Sequence, residues 1–152
     1  MQGGIPAGEV SENGAGDVSE EAVNPFTVMI IDDSKTIRRT AESLLKKEGY
    51  QVVTATDGFE ALSMIADQLP NLILLDIQMP RLDGYQTCVL IKHHKVFRHI
   101  PVVMLSSKDG LFDRARGRVV GSDHYITKPF TREELLSVIE LHAGKKLEQN
   151  EG

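Results

Sequence analysis

Acidic, hydroxyl and basic side chains follow four of the five apolar runs in this sequence. They are Asp32 and Asp33 after the first run, Asp76 after the third, Ser106 and Ser107 after the fourth, and Lys128 and Pro129 after the fifth. Three carboxylates held within a few ångström repel one another and raise each other's pKa values unless a cation is bound among them. A divalent metal ion would relieve that repulsion.

The candidate ligands offer only oxygen atoms, because neither histidine nor cysteine stands at these positions. Oxygen ligands favour a hard ion and argue against zinc. We therefore predict a Mg2+ site, which Mn2+ could also fill. We expect Asp33 and Asp76 to ligate the ion directly and Asp32 to act mainly through water.

Each of these positions also has an ordinary structural interpretation. The aspartate pair after the first run could cap a helix, and Asp76 could belong to a turn. Ser106 could bond to nearby backbone groups, and Lys128–Pro129 could be a loop dipeptide with a trans bond. What favours a functional site is that these residues are expected at one edge of a sheet.

The elements that must position these side chains alternate along the chain. Apolar runs that predict strands cover 28–31, 51–55, 72–75, 102–105 and 124–127. Between them lie stretches with apolar residues at helical spacing, the order of parallel strands joined by crossover helices. The runs are continuously apolar, as expected when helices cover both faces. We predict an α/β, doubly wound, five-stranded parallel sheet that binds ligands beyond the carboxyl ends of its strands.

The composition predicts one folded domain between two tails. The chain has 152 residues, and residues 1–24 contain five glycines and five acidic residues but no lysine, arginine or aromatic residue. Such a segment buries too little apolar surface to offset its conformational entropy. We predict a disordered acidic, glycine-rich tail over 1–24, a folded domain over 25–143 and a flexible tail over 144–152.

Charge and hydropathy exclude several classes of protein. The net charge of -5 comes from the tail, because the remaining residues hold 17 basic and 17 acidic side chains. Nucleic-acid binding is therefore not favoured, and no run approaches the roughly 20 apolar residues of a membrane-spanning helix. A single cysteine, Cys88, and the lack of a secretory signal predict a cytoplasmic location.

Four motifs resemble the receiver domain of two-component response regulators. They are residues 30–34 (IIDDS), 74–80 (LLDIQMP) followed by Asp83 and Gly84, 105–107 (LSS), and 125–130 (YITKPF). The resemblance runs from about Phe26 to Leu141. It implies a flavodoxin-like sheet with strand order 2-1-3-4-5 and helices on both faces.

The resemblance also implies how phosphate and metal would be handled. Asp76 would accept a phosphoryl group from a phosphohistidine on a histidine kinase or phosphotransfer protein. The Mg2+ ligands would be Asp32, Asp33, Asp76 and the backbone carbonyl of Gln78.

The resemblance also implies which residues respond to phosphorylation. Ser106, Ser107 and Lys128 would bind the phosphoryl group, Ser106 and Tyr125 would change position on phosphorylation, and the peptide bond before Pro129 would be cis. The surface formed by the fourth helix, fifth strand and fifth helix would then dock a downstream protein.

Three stretches carry a narrower resemblance. Residues 34–40, 80–88 and 106–113 are similar to stand-alone receivers of type IV pilus chemosensory systems, which control twitching motility. We therefore expect a phosphorylation-controlled docking protein that acts without nucleic acid or membrane insertion, and that at most phosphorylates itself from small donors and slowly loses the phosphate.

Two other functions fit the same residues. A Mg2+-dependent aspartyl phosphohydrolase also uses paired aspartates after its first strand, but it needs a cap module for which the chain is short. A receiver that serves only as a scaffold ranks last, because no phosphorylation residue is missing.

Overall fold

The computed structural model describes residues 25–108 and 110–151. Its strands are β1 Thr27–Ile31, β2 Gln51–Ala55, β3 Leu72–Asp76, β4 Val102–Ser106 and β5 His124–Thr127. All neighbours in the sheet are parallel, and the strand order is β2-β1-β3-β4-β5. The predicted doubly wound α/β fold and its strand order are confirmed.

Helices connect the strands and cover both faces of the sheet. They are α1 Lys35–Lys47, α2 Gly58–Gln68, α3 Gly84–Lys92, α4 Leu111–Val119 and α5 Arg132–Glu151, with a 3-10 turn at Phe97–His99 before β4. Within the described ranges, no helix is both long enough and apolar enough to cross a bilayer.

Two apolar cores explain why the central strands β1, β3 and β4 are almost continuously apolar. Met29 and Ile31 of β1 pack toward Ile65 of α2 and Ile91 of α3, among other residues. The alternate side chains of the same strand, such as Ile30, pack on the opposite face with residues of α1 and α5. Since successive side chains of a strand point to opposite faces, both sets must be apolar.

Side-chain caps fix where several helices begin. Asp57 Oδ1 accepts a hydrogen bond from the Glu60 amide at 2.8 Å at the start of α2. At the start of α5, the Glu134 amide donates to Thr131 Oγ1 at 3.0 Å, and the Thr131 amide donates to Glu134 Oε1 at 2.8 Å. Each cap satisfies amides that have no partner within the helix.

The chain ends differ in how they relate to the predictions. The predicted disordered tail over 1–24 lies outside the described residues. The backbone of α5 continues to Glu151, and the flexibility of the segment 144–152 stays a prediction. Lysine, leucine, glutamate and glutamine dominate residues 145–149, and their helix propensity outweighs the single unfavourable Gly144.

Candidate functional site

The carboxyl ends of β1, β3, β4 and β5 meet at one edge of the sheet. In the register of the ladders, Ile31 lies beside Leu75, and Asp76 lies beside Leu105. The chain leaves β1 for β2 on one side and returns to β3 on the other, so the strand order reverses between β1 and β3. This is the position at which doubly wound sheets bind ligands.

Three carboxylates gather at that edge as the sequence predicted. One oxygen from each of Asp32, Asp33 and Asp76 lies within 4.8 Å of the other two. Asp32 is fully buried, and Asp76 is 4% exposed, whereas Asp33 is exposed. The cluster therefore has a buried floor and an open side through which an ion or a phosphate can enter.

Lys128 supplies positive charge to the buried part of the cluster. Its Nζ atom lies 2.9 Å from Asp32 Oδ2 and 3.0 Å from Asp76 Oδ1. Burial by itself lowers the pKa of Lys128, but the hydrogen bonds and charges of Asp32 and Asp76 outweigh it, so the net shift of the pKa is upward. The ammonium thus stays charged and holds the two carboxylates together.

The pKa of Asp76 is raised to about 6. Burial is the main cause, and the charge of Asp32 adds to it. Lys128 acts in the opposite direction, as does the Gln78 amide, which donates to Asp76 Oδ1 at 3.4 Å. The negative charge on Asp76 is therefore only partly compensated, which favours binding of a further cation at this position.

Neither aspartate after β1 caps α1. Ser34 is the N-cap, because its Oγ accepts from the Ile37 amide at 3.3 Å. Asp32 Oδ1 accepts from the Ser34 amide at 2.9 Å. Arg38 Nη1 donates to the Asp32 carbonyl at 2.7 Å, a contact that the sequence did not predict. Together these bonds fix the direction of the Asp32 side chain.

A close backbone approach joins β3 to the start of α3. A Cβ atom on Gly84 would lie 2.5 Å from the Asp76 carbonyl oxygen and 2.6 Å from Ile77 Cα. The Gly84 amide donates to the Ile77 carbonyl at 2.8 Å. Only glycine allows this contact, which places α3 against the backbone of Asp76.

The loops at the mouth of the site bring the remaining predicted residues near it. Ser107 Oγ donates to Gln78 Oε1 at 3.4 Å, and both residues are exposed. Ser106 is buried, and its Oγ accepts from the Lys108 amide at 3.0 Å. The Ser106 hydroxyl thus lies at the end of the strand beside Asp76 while it bonds to the loop that follows.

Tyr125 contacts the same loop. Its hydroxyl donates to the Lys108 carbonyl at 2.7 Å, and the Arg114 guanidinium carbon lies 4.9 Å from its ring centroid. Lys108 therefore bonds to Ser106 through its amide and to Tyr125 through its carbonyl. The Lys128–Pro129 peptide bond is cis, the geometry that the resemblance implies.

Sequence reasoning missed a second tyrosine in this region. Tyr85 of α3 is buried, donates to the Asp113 carbonyl at 3.2 Å and packs under the Arg116 guanidinium at 4.1 Å. Burial, followed by the proximity of Tyr125, raises the pKa of Tyr85 to about 12. The spacing of apolar residues marks Tyr85 as a core position at most, so only the fold brings it to α4.

The donor set fits a hard divalent cation. Three carboxylates converge, one of them exposed, and burial together with the charge of Asp32 raises the pKa of Asp76 more than Lys128 lowers it. No other group of three or more potential metal ligands occurs among the described residues.

Comparison with known proteins gives the family. Residues 28–140 match the model of the response regulator receiver domain. Protein PilG of Pseudomonas aeruginosa is 65% identical over 123 residues, which are 81% of this chain and 91% of that protein. A probable transcriptional regulator, ycf27 of Cyanophora paradoxa, is 41% identical over 74% of this chain, but the match covers only 46% of that longer protein.

Solved structures show the same architecture. The chemotaxis protein CheY4 of Vibrio cholerae superposes with a TM-score of 0.75 at 28% identity, over 78% of this chain and 99% of that chain. The receiver domain of sensor histidine kinase PA1611 of Pseudomonas aeruginosa has a TM-score of 0.73 at 27% identity, over 80% and 99% of the two chains. That structure holds a magnesium ion in its active-site cleft. With its acidic edge, its parallel sheet and a family match over most of its length, this chain belongs to the response regulator receiver domains.

Proposed function

We propose that this protein is a response regulator in which Asp76 of the receiver domain accepts a phosphoryl group from a histidine kinase or phosphotransfer protein. The observation that supports this most directly is the bridge from Lys128 Nζ to Asp32 and Asp76 at 2.9 Å and 3.0 Å. The bridge places a cation beside a nucleophile whose pKa is about 6. At neutral pH most of Asp76 is therefore in the carboxylate form that can attack phosphorus.

Mg2+ would be held by Asp32, Asp33, Asp76 and the backbone carbonyl of Gln78. When bound, the ion supplies positive charge against the phosphoryl oxygens and reduces the repulsion among the carboxylates. Asp33 is the exposed member of the set, so we expect it to contribute more to metal affinity than to the fold.

The chain's own residues orient the transfer. A carboxylate oxygen of Asp76 attacks the phosphorus, the phosphorus–nitrogen bond to the donor histidine breaks, and its electron pair remains on the imidazole nitrogen. Lys128 would pair with the oxygens of the transferring group, where negative charge is spread in the transition state. Ser107 lies exposed at the mouth of the site, where its hydroxyl would also reach the phosphoryl group.

Phosphorylation would then act through Ser106 and Tyr125. A phosphoryl group adds a charge of about -1.5 to -2 at neutral pH. The Ser106 hydroxyl would leave the Lys108 amide for a phosphoryl oxygen. Because Lys108 also bonds to Tyr125, the move would bias the loop and helix α4.

We propose that the output is docking of a downstream protein to the face formed by α4, β5 and α5. Tyr125 and Arg114 border this face, and Leu111, Phe112 and Val119 of α4 are highly exposed. The resemblance of the loop segments to type IV pilus receivers, together with the 65% identity to Protein PilG, supports a role in pilus chemosensory control of twitching motility, in the cytoplasm.

Labelling by a small phosphodonor tests the proposal. Incubation with acetyl phosphate and Mg2+ should add one phosphoryl group, seen as a mass increase that is lost in Asp76→Asn and retained in Asp67→Asn, a matched change at an exposed position of α2. EDTA should prevent the reaction. Labelling of Asp76→Asn to the same extent would refute Asp76 as acceptor, and many turnovers of phosphomonoesters would favour the phosphohydrolase.

A further inference from the structure

Helix α1 carries the largest net positive charge among the described helices. The helix and the residue after it hold Lys35, Arg38, Arg39, Lys46 and Lys47 against Glu42 and Glu48, which leaves a net charge of +3. Residues 25–152 as a whole hold 17 basic and 17 acidic side chains. Helix α1 therefore has an excess of positive charge within an electrically balanced domain.

Two adjoining depressions, with volumes of about 540 Å³ and about 550 Å³, lie along this face. Arg39, Ser43 and Lys47 line both of them and occupy one side of α1 at four-residue spacing. Arg132, at the start of α5, lines the second. We call this continuous surface, from Arg39 to Arg132, the basic groove.

The acidic residues of the basic groove are already paired. Glu42 Oε2 lies 2.9 Å from Lys46 Nζ, and Glu48 forms a salt bridge with Arg132. Arg39 and Lys47 take part in no salt bridge within the part of the chain that the structure describes. Their positive charges are therefore available to an anionic occupant.

Residues 1–24 have the complementary charge. They contain no lysine or arginine and five acidic residues, namely Glu9, Glu12, Asp17, Glu20 and Glu21. These carry the entire net charge of the chain. Among the described helices, α1 has the largest net positive charge, +3 when Glu48 is included, followed by α4 with +2.

The segment joins the domain next to the groove. Phe26 packs edge-on against Tyr50 with ring centroids 5.8 Å apart, and its carbonyl accepts from the Gln51 amide at 3.0 Å. Tyr50 follows Lys47 by three residues. Residues 1–24 therefore start from the end of α1 that carries Lys46 and Lys47.

The segment is long enough to follow the whole helix. The 13 residues of α1 span roughly 20 Å at the usual rise per residue. The stretch from Glu9 to Pro25 can extend over about 50 Å. Tethering at this range gives an effective concentration on the order of millimolar, so even weak charge pairing would populate the contact.

We propose that the acidic segment 1–24 binds the basic groove of α1 within the same molecule. The contact pairs exposed carboxylates with Arg39 and Lys47. Exposed ion pairs are individually weak and screened by salt. The association is thus a weak, charge-driven contact. Salt weakens it, and a more strongly anionic ligand can replace the segment in the groove.

A spin label in the segment tests this in the full-length chain. The label is attached at Ala7→Cys, because the native Cys88 is fully buried and its pKa of about 11 leaves it unreactive. Paramagnetic broadening should concentrate on the backbone amides of Arg39, Ser43 and Lys47 relative to those of α3. It should disappear at about 0.5 M NaCl, where the Debye length falls below about 5 Å.

Charge variants identify the two partners. Neutralising the segment (E9Q, E12Q, D17N, E20Q and E21Q together) should abolish the α1 broadening, as should Arg39→Gln combined with Lys47→Gln. Lys95→Gln with Arg118→Gln removes two positive charges at exposed positions elsewhere and should leave it intact.

Three outcomes would overturn the proposal. The first is broadening at α1 that survives neutralisation of the segment. The second is broadening confined to the residues next to Pro25. The third concerns a mixture of isotope-labelled chains without a spin label and spin-labelled chains without isotope. Broadening of the isotope-labelled chains in that mixture would show that the groove binds another copy of the protein.

Discussion

The Tyr125 hydroxyl donates a 2.7 Å hydrogen bond to the Lys108 carbonyl. The Lys108 amide in turn donates to Ser106 Oγ at 3.0 Å. A residue at the end of β4 and a residue of β5 are thus joined through the backbone of one loop residue. This connection offers a short path from the acidic cluster to α4.

Tyr125→Phe tests that connection without removing the ring. We expect a loss of about 0.5 to 1.5 kcal/mol in the free energy of unfolding, the usual contribution of one hydrogen bond, and faster hydrogen exchange at the Lys108 loop. Labelling of Asp76 by acetyl phosphate should be unchanged, because the Tyr125 hydroxyl donates to the Lys108 carbonyl and not to one of the three clustered aspartates. Tyr50→Phe is the matched control, and an equal effect on loop exchange in that variant would contradict the prediction.

Lys128→Met should strongly destabilise the protein at neutral pH. Removal of the ammonium leaves Asp32 and Asp76 buried without their shared cation, and breaking a buried pair in this way costs about 2 to 4 kcal/mol. Urea unfolding in EDTA at pH 7 measures the loss.

A second substitution separates charge from packing in that experiment. Lys128→Met combined with Asp76→Asn should recover a large part of the stability, because one of the two unpaired charges is gone. Lys47→Met, at an exposed position, should change stability by less than about 0.5 kcal/mol. A double variant as unstable as Lys128→Met alone would show that the loss comes from packing.

Asp76→Asn should stabilise the metal-free protein at neutral pH. The folded pKa of Asp76 is about 6, above its ordinary value of 3.8, so the native state disfavours the charged form. The penalty is full above about pH 6 and fades as pH falls toward the ordinary pKa of 3.8, below which the carboxyl is protonated in both states. We expect a gain of about 1 to 3 kcal/mol at pH 7.5, measured by urea unfolding in EDTA.

The pH dependence of that gain is the decisive observation. Asp67→Asn, on the exposed side of α2, should give no comparable gain at either pH. A stabilisation by Asp76→Asn that is equally large at pH 4 and pH 7.5 would mean that relief of negative charge is not its cause.

The acidic site could be predicted from the residue types at the strand ends. The contacts between helices could not be predicted in this way. Asp32 and Asp76 each end an apolar run, and parallel strands bring all such ends to one edge. Tyr85, Asp113 and Arg116 meet only because the fold brings the Tyr85 side chain of α3 to α4. The spacing of residues in the sequence does not predict this contact, since a tyrosine among apolar residues at helical spacing predicts only a buried position.

The end of α5 shows a different limit of prediction from the sequence, which concerns where a helix stops. We predict a flexible tail from residue 144, where the single Gly144 costs a helix only about 1 kcal/mol. The good helix formers around it are enough to continue α5 to Glu151. Local sequence marks a helix end clearly only where a cap or a proline is present, as Pro70 is after α2.

Gly84→Ala and Gly144→Ala form a matched pair with opposite expected signs. A Cβ atom on Gly84 would collide with the Asp76 carbonyl oxygen and Ile77 Cα, whereas one on Gly144 meets nothing within 4 Å. We expect Gly84→Ala to lose about 1 to 3 kcal/mol and to slow labelling of Asp76, because α3 must shift away from β3. Gly144→Ala should gain about 0.5 to 1 kcal/mol with normal labelling. Thermal unfolding and the acetyl phosphate reaction measure both effects, and a Gly84→Ala protein with unchanged stability and labelling would show that the close approach of α3 does not position the acceptor.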